Sequence, residues 1–218
     1  MHFVMGDLPA RDRYKLLVST VVPRPIAWVT TMSPAGTVNA APYSFFNAMG
    51  DDPPLLVLGL MKDGATGDDK DTATNILATG EFVVNLVGEP DAAAMVRSAA
   101  PVPRVLSEID YAGIATAPAL RVAPPRIASA PVSFECVRRE TVTIGTGQVI
   151  VIGEVLVTHV ADAFVTDPKR LHLDTTAMHL IARMHGADRY LRTTDQFALP
   201  REPYDPARLE GSETPPAA

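Results

Sequence analysis

The chain has 218 residues, of which 47% are hydrophobic and 20% charged, with a formal net charge of −6. That length carries one large domain or two small ones with apolar mass for a real core, and the acidic balance argues against a nucleic-acid module, which is normally basic. Cys136 is the sole cysteine, so an internal disulfide and a CxxC site are both excluded.

From the N-terminus, MHFVMGDLPARDRY has no apolar signal core, and no run is long enough to span a bilayer. A cytoplasmic protein with no membrane or nucleic-acid partner is therefore expected. ARDRYKLLVST reads as a short helix, with Asp7 as its cap and Pro9 in its first turn. Two β-rich runs follow, Pro25–Met32 and Thr37–Phe46, around Ser33-Pro34-Ala35-Gly36, a good turn sequence, and together they predict a hairpin. Asp51-Asp52-Pro53-Pro54 ends it. Leu55–Leu60 is a continuous apolar run that suits a strand buried on both faces.

After a Gly-containing loop, Asp71–Thr79 predicts a helix closed by Gly80, capped at its start by Asp71 or Thr72, and Glu81–Val87 a strand. Pro90–Ala100 is alanine-rich and helical. Residues 101–130 are proline-rich and form a long connection with a short helix near Leu106–Tyr111. Pro131–Arg139, Thr141–Thr146 and Gln148–Val160 predict three more strands, and Gly153 marks a bulge or bend in the last. Ala177–Arg192 has helical potential interrupted by Gly186. The main domain is expected to run over 1–198, and the proline-rich, polar 199–218 to be an extended or disordered tail. The number of strands and the sparse helices favour a mainly β, closed or nearly closed antiparallel barrel over a doubly wound sheet.

Chemistry-bearing motifs are few. No GxGxxG follows a strand, no HExxH or HxxxH spaces the histidines for a metal, and no GxSxG elbow is present. Two stretches stand out. Pro42–Asn47 mixes small, polar and aromatic residues: Ser44 and Asn47 offer donors and acceptors, and Phe45 and Phe46 offer rings to pack on a flat ligand. On composition alone those residues fit a packed core with polar turn formers better than a ligand wall. Lys70, Asp71, Thr72 and Asn75 lie where a loop enters a helix, and a helix start attracts phosphate. An ordinary capped helix in a solvated loop fits them too, and Asp68, Asp69 and Asp71 carry the wrong charge for an anion.

In order, PRPIAWVTT, GTVNAAPYSFFN, DPP, KDTATN, EFVVNLV and IGEV resemble the flavin reductase-like family of FMN-binding split-barrel proteins, over about residues 20–160 and more loosely to about 195. The resemblance implies a Greek-key split β-barrel with a few peripheral helices, and a homodimer with flavin at the subunit interface. It implies FMN as cofactor, with FAD the alternative, and NADH or NADPH as hydride donor. The activity implied is flavin reduction, with a flavin-dependent monooxygenase or other electron acceptor as partner. The alternative is a flavoredoxin-like, FMN-binding electron-transfer protein that oxidises no nicotinamide itself. Carried over, Thr30, Thr31, Ser44, Phe45, Phe46 and Asn47 would contact the ring and ribityl chain, and Lys70, Asp71, Thr72 and Asn75 the phosphate end. No catalytic residue and no metal are implied. Two positions depart from the family pattern: Gln148 stands where many short flavin reductases have histidine, and His185 replaces the first glycine of an RxGGxxY-like segment, Arg183–Tyr190.

Overall fold

The computed structural model describes residues 1–64 and 66–205. Its centre is one seven-stranded antiparallel sheet. The strands are β1 (Ala27–Met32), β2 (Val38–Tyr43), β3 (Phe46–Asp51), β4 (Pro54–Met61), β5 (Glu81–Leu86), β6 (Val132–Thr143) and β7 (Gln148–Val160), in the spatial order β2-β1-β5-β6-β7-β4-β3. The sheet curls so that its ends approach where β2 hands over to β3, and the amide of Gly59 donates to the carbonyl of Phe45 at 2.7 Å. This is the split β-barrel that the motif order implied. Helices α1 (Ala10–Thr20), α2 (Asp71–Thr79), α3 (Ala92–Arg97) and α4 (Glu108–Ala112) are peripheral, and a short hairpin, β8 (Ile181–Arg183) and β9 (Tyr190–Arg192), pairs with Arg24–Pro25. Among the described residues, no helix is long and apolar enough to cross a membrane.

Alternation along β1 sends its side chains to two cores. Ala27 and Val29 join Leu56, Leu58, Leu60, Ile76 and Phe82 inside the barrel, whereas Ile26 and Trp28 pack with Met95, Ile109 and Ile127 under α3 and α4. Trp28 donates from its indole to Ser98 Oγ at 2.9 Å, so burying the ring leaves no orphan donor. The long 101–130 connection is tied down by Glu135, whose fully buried carboxylate accepts from the amides of Leu120 (2.7 Å) and Arg121 (2.6 Å) and meets His159. Burial pushes that carboxyl up, but these hydrogen bonds outweigh it and hold the group below the usual carboxylate range.

Several expectations need correction. Pro9, rather than Asp7, is the N-cap of α1, and Asp7 belongs to a separate turn at Met5–Asp7. The second hairpin strand does not continue to Phe46. It stops at Tyr43, because Ser44 is held by the guanidinium of buried Arg24 (Nε to Oγ, 3.3 Å) and Phe45 turns to Gly59, so Phe46 opens a new strand. Pro42 is tolerated because β2 lies at the end of the strand order. β4 is buried on one face only: Leu56, Leu58 and Leu60 point inward while Leu55 and Val57 stay half-buried. Residues 132–143 form one strand, since the break expected near Arg139–Glu140 is a register shift against Ile152–Gly153 that the sheet absorbs as a bulge. Segment 177–192 is not helical. Gly186 takes φ +82°, and Arg183 closes the loop by donating to the carbonyls of Gly186, Ala187 and Arg189 while its guanidinium lies 4.9 Å over the Tyr190 ring. Arg183 and Tyr190 thus hold their own hairpin. Helix α2 begins at Asp71 with Lys70 at the N-cap and no side-chain cap, so neither Asp71 nor Thr72 caps it. Residues 199–205 have no regular structure and are exposed; the rest of the expected tail, 206–218, lies outside the described residues.

The bulge glycine makes a sharp prediction. A Cβ at Gly153 would sit 2.3 Å from Phe82 Cζ, and the Phe82 ring is fully buried. Gly153→Ala should therefore cost about 2 kcal/mol by overpacking, which for a domain of this size lowers Tm by roughly 4–8 °C, read by thermal unfolding.

Candidate functional site

Helix α2 forms because Ile76 and Ala73 bury in the barrel core while Gly80, at φ +76°, accepts the left-handed conformation that ends it. Its start is set against the hairpin by a polar cluster with almost no solvent exposure: Thr31 0%, Thr72 1%, Asn75 5% and Asn39 6%. Thr31 Oγ1 accepts from Asn75 Nδ2 at 3.0 Å and from Asn39 Nδ2 at 3.4 Å, and Asn39 Nδ2 also reaches Thr72 Oγ1 at 2.8 Å. The Tyr43 phenol is hydrogen-bonded to Thr72 in turn. Burial, with help from the Asp71 and Glu108 charges, pushes its pKa up to about 12 against that bond, so the phenol keeps its proton at neutral pH.

Above this cluster opens a cavity of about 630 Å³. One wall is β2, through Asn39, Ala41, Pro42 and Tyr43; the floor is the 66–72 loop and helix start; the far wall is Ser98–Val102 with Arg104 and Glu108. The first amides of α2 are left without a side-chain cap, and a helix start carries partial positive charge. Lys70 is exposed beside them and forms no ion pair among the described residues. Carboxylates outnumber cations in the lining, yet two of them are compensated: Asp71 Oδ1 lies 2.8 Å from Arg104 Nε, and Asp69 Oδ1 lies 3.8 Å from Lys62 Nζ. Asp69 Oδ1 is buried and accepts no hydrogen bond. The buried Glu108 accepts from the Ala40 amide at 3.3 Å, and burial pushes its carboxyl up.

The residues singled out in the sequence are distributed unevenly. Lys70, Asp71 and Thr72 line the cavity. Thr31 and Asn75 lie beneath it and hold Asn39 and the helix in place. Thr30 is on the opposite face of β1, donating to the Pro125 carbonyl at 2.6 Å. Ser44 and Phe45 occupy the seam between β2 and β3, where the Phe45 ring lies 6.1 Å from Tyr14. Phe46 packs on the barrel core, and Asn47 is exposed on β3. Asn39, Arg104, Glu108 and Ser98–Val102 were missed. Arg104 is the only basic residue between Arg97 and Arg121, a usable signal, but nothing in the spacing couples it to Asp71.

A split barrel whose edge strand and uncapped helix start share one cavity defines a class of fold and site. The Flavin reductase like domain model matches residues 18–179, and the chain belongs to that family. Membership places it among flavin-linked oxidoreductase and electron-transfer proteins. An uncharacterized protein of Deinococcus radiodurans is 44% identical over 207 residues, 93% of this chain and 90% of that protein. Two solved structures superpose with a TM-score of 0.85. Nitrilotriacetate monooxygenase component B from Bacillus cereus is 30% identical, covering 91% of this chain and 98% of that one. Pseudomonas fluorescens 2-nitrobenzoate 2-nitroreductase is 33% identical, covering 94% and 98%.

The polar cluster predicts its own sensitivity. Thr31→Val keeps the volume but leaves the Asn75 amide without its buried acceptor, which should destabilise the fold by about 1–3 kcal/mol, measured by denaturant unfolding.

Proposed function

We propose that the chain is an FMN-binding flavin reductase that passes hydride from NADH or NADPH to flavin. The observation that carries this reading is the shared cavity: an uncapped α2 start with Lys70 faces a strand of small residues, Ala41 and Pro42, within about 630 Å³. The donor set suits a phosphate ester. The residues thus fit the ribityl-phosphate end of FMN, with FAD the alternative.

A bound flavin supplies the hydride acceptor, so the protein's work is binding and orientation. Lys70 and the first amides of α2 hold the phosphate end. The Thr31–Asn75–Asn39–Thr72 cluster fixes that helix start relative to β2. Tyr43, protonated at neutral pH, adds a neutral polar group to the wall. No side-chain acid or base is required of this chain, and none is assigned. The ring-end assignment, Thr30, Thr31, Ser44, Phe45, Phe46 and Asn47, rests on the family motif; Ser44 and Phe45 are next to the cavity wall in sequence, whereas Thr30 faces away from the cavity and is bonded to Pro125. A flavin-dependent monooxygenase as recipient of the reduced flavin is supported by the likeness to a monooxygenase component B. A second reading, electron transfer without nicotinamide oxidation, is favoured by Gln148: this half-buried amide opens β7 opposite Met61, where the family resemblance places histidine in many short reductases.

Titrating the purified chain with FMN tests binding, and NADH and NADPH oxidation with FMN or FAD present separates the two readings. Flavin binding with nicotinamide turnover is the expected result; absence of binding at micromolar FMN removes both readings, and binding without turnover leaves the electron carrier. Lys70→Ala should weaken FMN at least about tenfold more than riboflavin, and equal weakening would remove the phosphate assignment.

A homodimer belongs to the same proposal. On the outer face of β4 and β7, Val57 stands opposite Ile152, with Ile150 further along β7 and Leu55 opposite Glu154, which is paired with Arg139; Leu55, Val57, Ile150 and Ile152 are all half-buried, and Met49 and Leu156 are exposed. An apolar strip of this kind marks an association surface. Gel filtration should give a dimer, and Val57→Lys should shift it to the monomer volume; a monomeric parent at working concentration counts against the reading.

A further inference from the structure

Arg104 projects from a proline-rich segment with 61% of its side chain exposed, yet its fork is committed. Nε lies 2.8 Å from Asp71 Oδ1, and Nη2 donates to the Asp69 carbonyl at 2.7 Å. Asp71 is the first residue of α2. A carboxylate there suits the helix, but it puts negative charge on the spot where the helix start would otherwise attract an anion. Lys70 alone is poorly placed to overcome this, because Asp68, Asp69 and Asp71 all lie within two positions of it. Lys62 offsets Asp69 from 3.8 Å, and Arg104 offsets Asp71 at hydrogen-bond distance.

We propose that Arg104 is a positioning residue that cancels the Asp71 carboxylate and so makes the Lys70 end of the cavity receptive to a phosphate monoester. This rests on the proposed phosphate end at Lys70. Arg104 acts through Asp71: the two nitrogens with assigned partners both engage the 69–71 loop, which leaves Lys70 and the α2 amides as the groups that face the anion. The same two contacts tie the far wall of the cavity, which carries Pro101, Val102 and Arg104, to its floor.

The test is equilibrium titration of the full-length chain with FMN and with riboflavin, which keeps the ring and ribityl chain but lacks the phosphate. At low ionic strength Arg104→Ala should weaken FMN by about tenfold while riboflavin stays within about twofold, because an uncancelled carboxylate repels only the charged ligand. Adding Asp71→Asn to Arg104→Ala should return FMN to within about threefold of the parent, the coupling expected of groups that act on one another. The FMN deficit of Arg104→Ala should also shrink in about 0.5 M salt as screening rises. Equal loss of both flavins would make Arg104 a merely structural brace and overturn the proposal. An FMN loss that persists undiminished in the double variant would assign Arg104 to direct phosphate contact and overturn it as well, and so would no loss at all. Failure of the underlying phosphate reading looks different: there the parent itself holds FMN no better than riboflavin.

Discussion

Thr31, Asn39, Thr72 and Asn75 are polar, nearly sealed from solvent and bonded to one another, and the position of α2 follows from that. A buried amide or hydroxyl without a partner is costly, so the helix cannot slide or rotate against β1 and β2 without stranding at least one of the four. Apolar contacts from Ala73 and Ile76 supply bulk attraction but tolerate small shifts; the hydrogen bonds choose one register. The cavity above inherits its shape from this choice, because its floor is the helix start and its wall is the strand that carries Asn39.

Charge then decides what the cavity can hold. Five carboxylates, from Asp63, Asp68, Asp69, Asp71 and Glu108, line it against Lys70 and Arg104, a balance that by count alone rejects anions. Geometry changes the sum. Asp71 is spent on Arg104, Asp69 is met by Lys62, and the Glu108 carboxylate is turned to the Ala40 amide. Lys70 and the uncapped amides keep their positive character. Local pairing, rather than the net charge of −6, governs the site.

Much of this was legible in the sequence, and the reason lies in strongly patterned local signals. The α2 limits follow from Asp71 and Gly80, the last long strand from Gln148–Val160, and its bulge from Gly153. The misses share a different cause, which is tertiary pairing overriding local preference. Segment 177–192 has helical propensity, yet pairing of Ile181–Arg183 with Arg24–Pro25 and with β9 pulls it into a hairpin. Pro131–Arg139 and Thr141–Thr146 are expected as two strands, but β7 runs alongside both and a register shift accommodates the extra residue in one strand, 132–143. Of the site, Lys70–Thr72 was readable because a helix start is a local signal. Arg104 was not, since its meaning comes from Asp71, thirty-odd residues away in the chain.

The two ends of the candidate site differ in how complete a single chain leaves them. At the α2 end, Asp71 and Asp69 are paired, the polar cluster is closed and Arg104 ties the far wall to the floor, all within one chain. At the other end the wall runs out at Tyr43, where Ser44 and Phe45 are committed to Arg24 and Gly59 and the chain crosses to β3. Asn47 then emerges on the outer face, opposite Val57 in the ladder and in line with Ile152. That face is the apolar strip that β4 leaves uncovered. A ligand reaching from Lys70 past Tyr43 therefore heads toward surface that a single copy does not close. On the reading proposed above, the strip that drives association and the open end of the site belong to one structural fact: β4 packs its even-numbered leucines into the barrel and leaves Leu55 and Val57 for a neighbour.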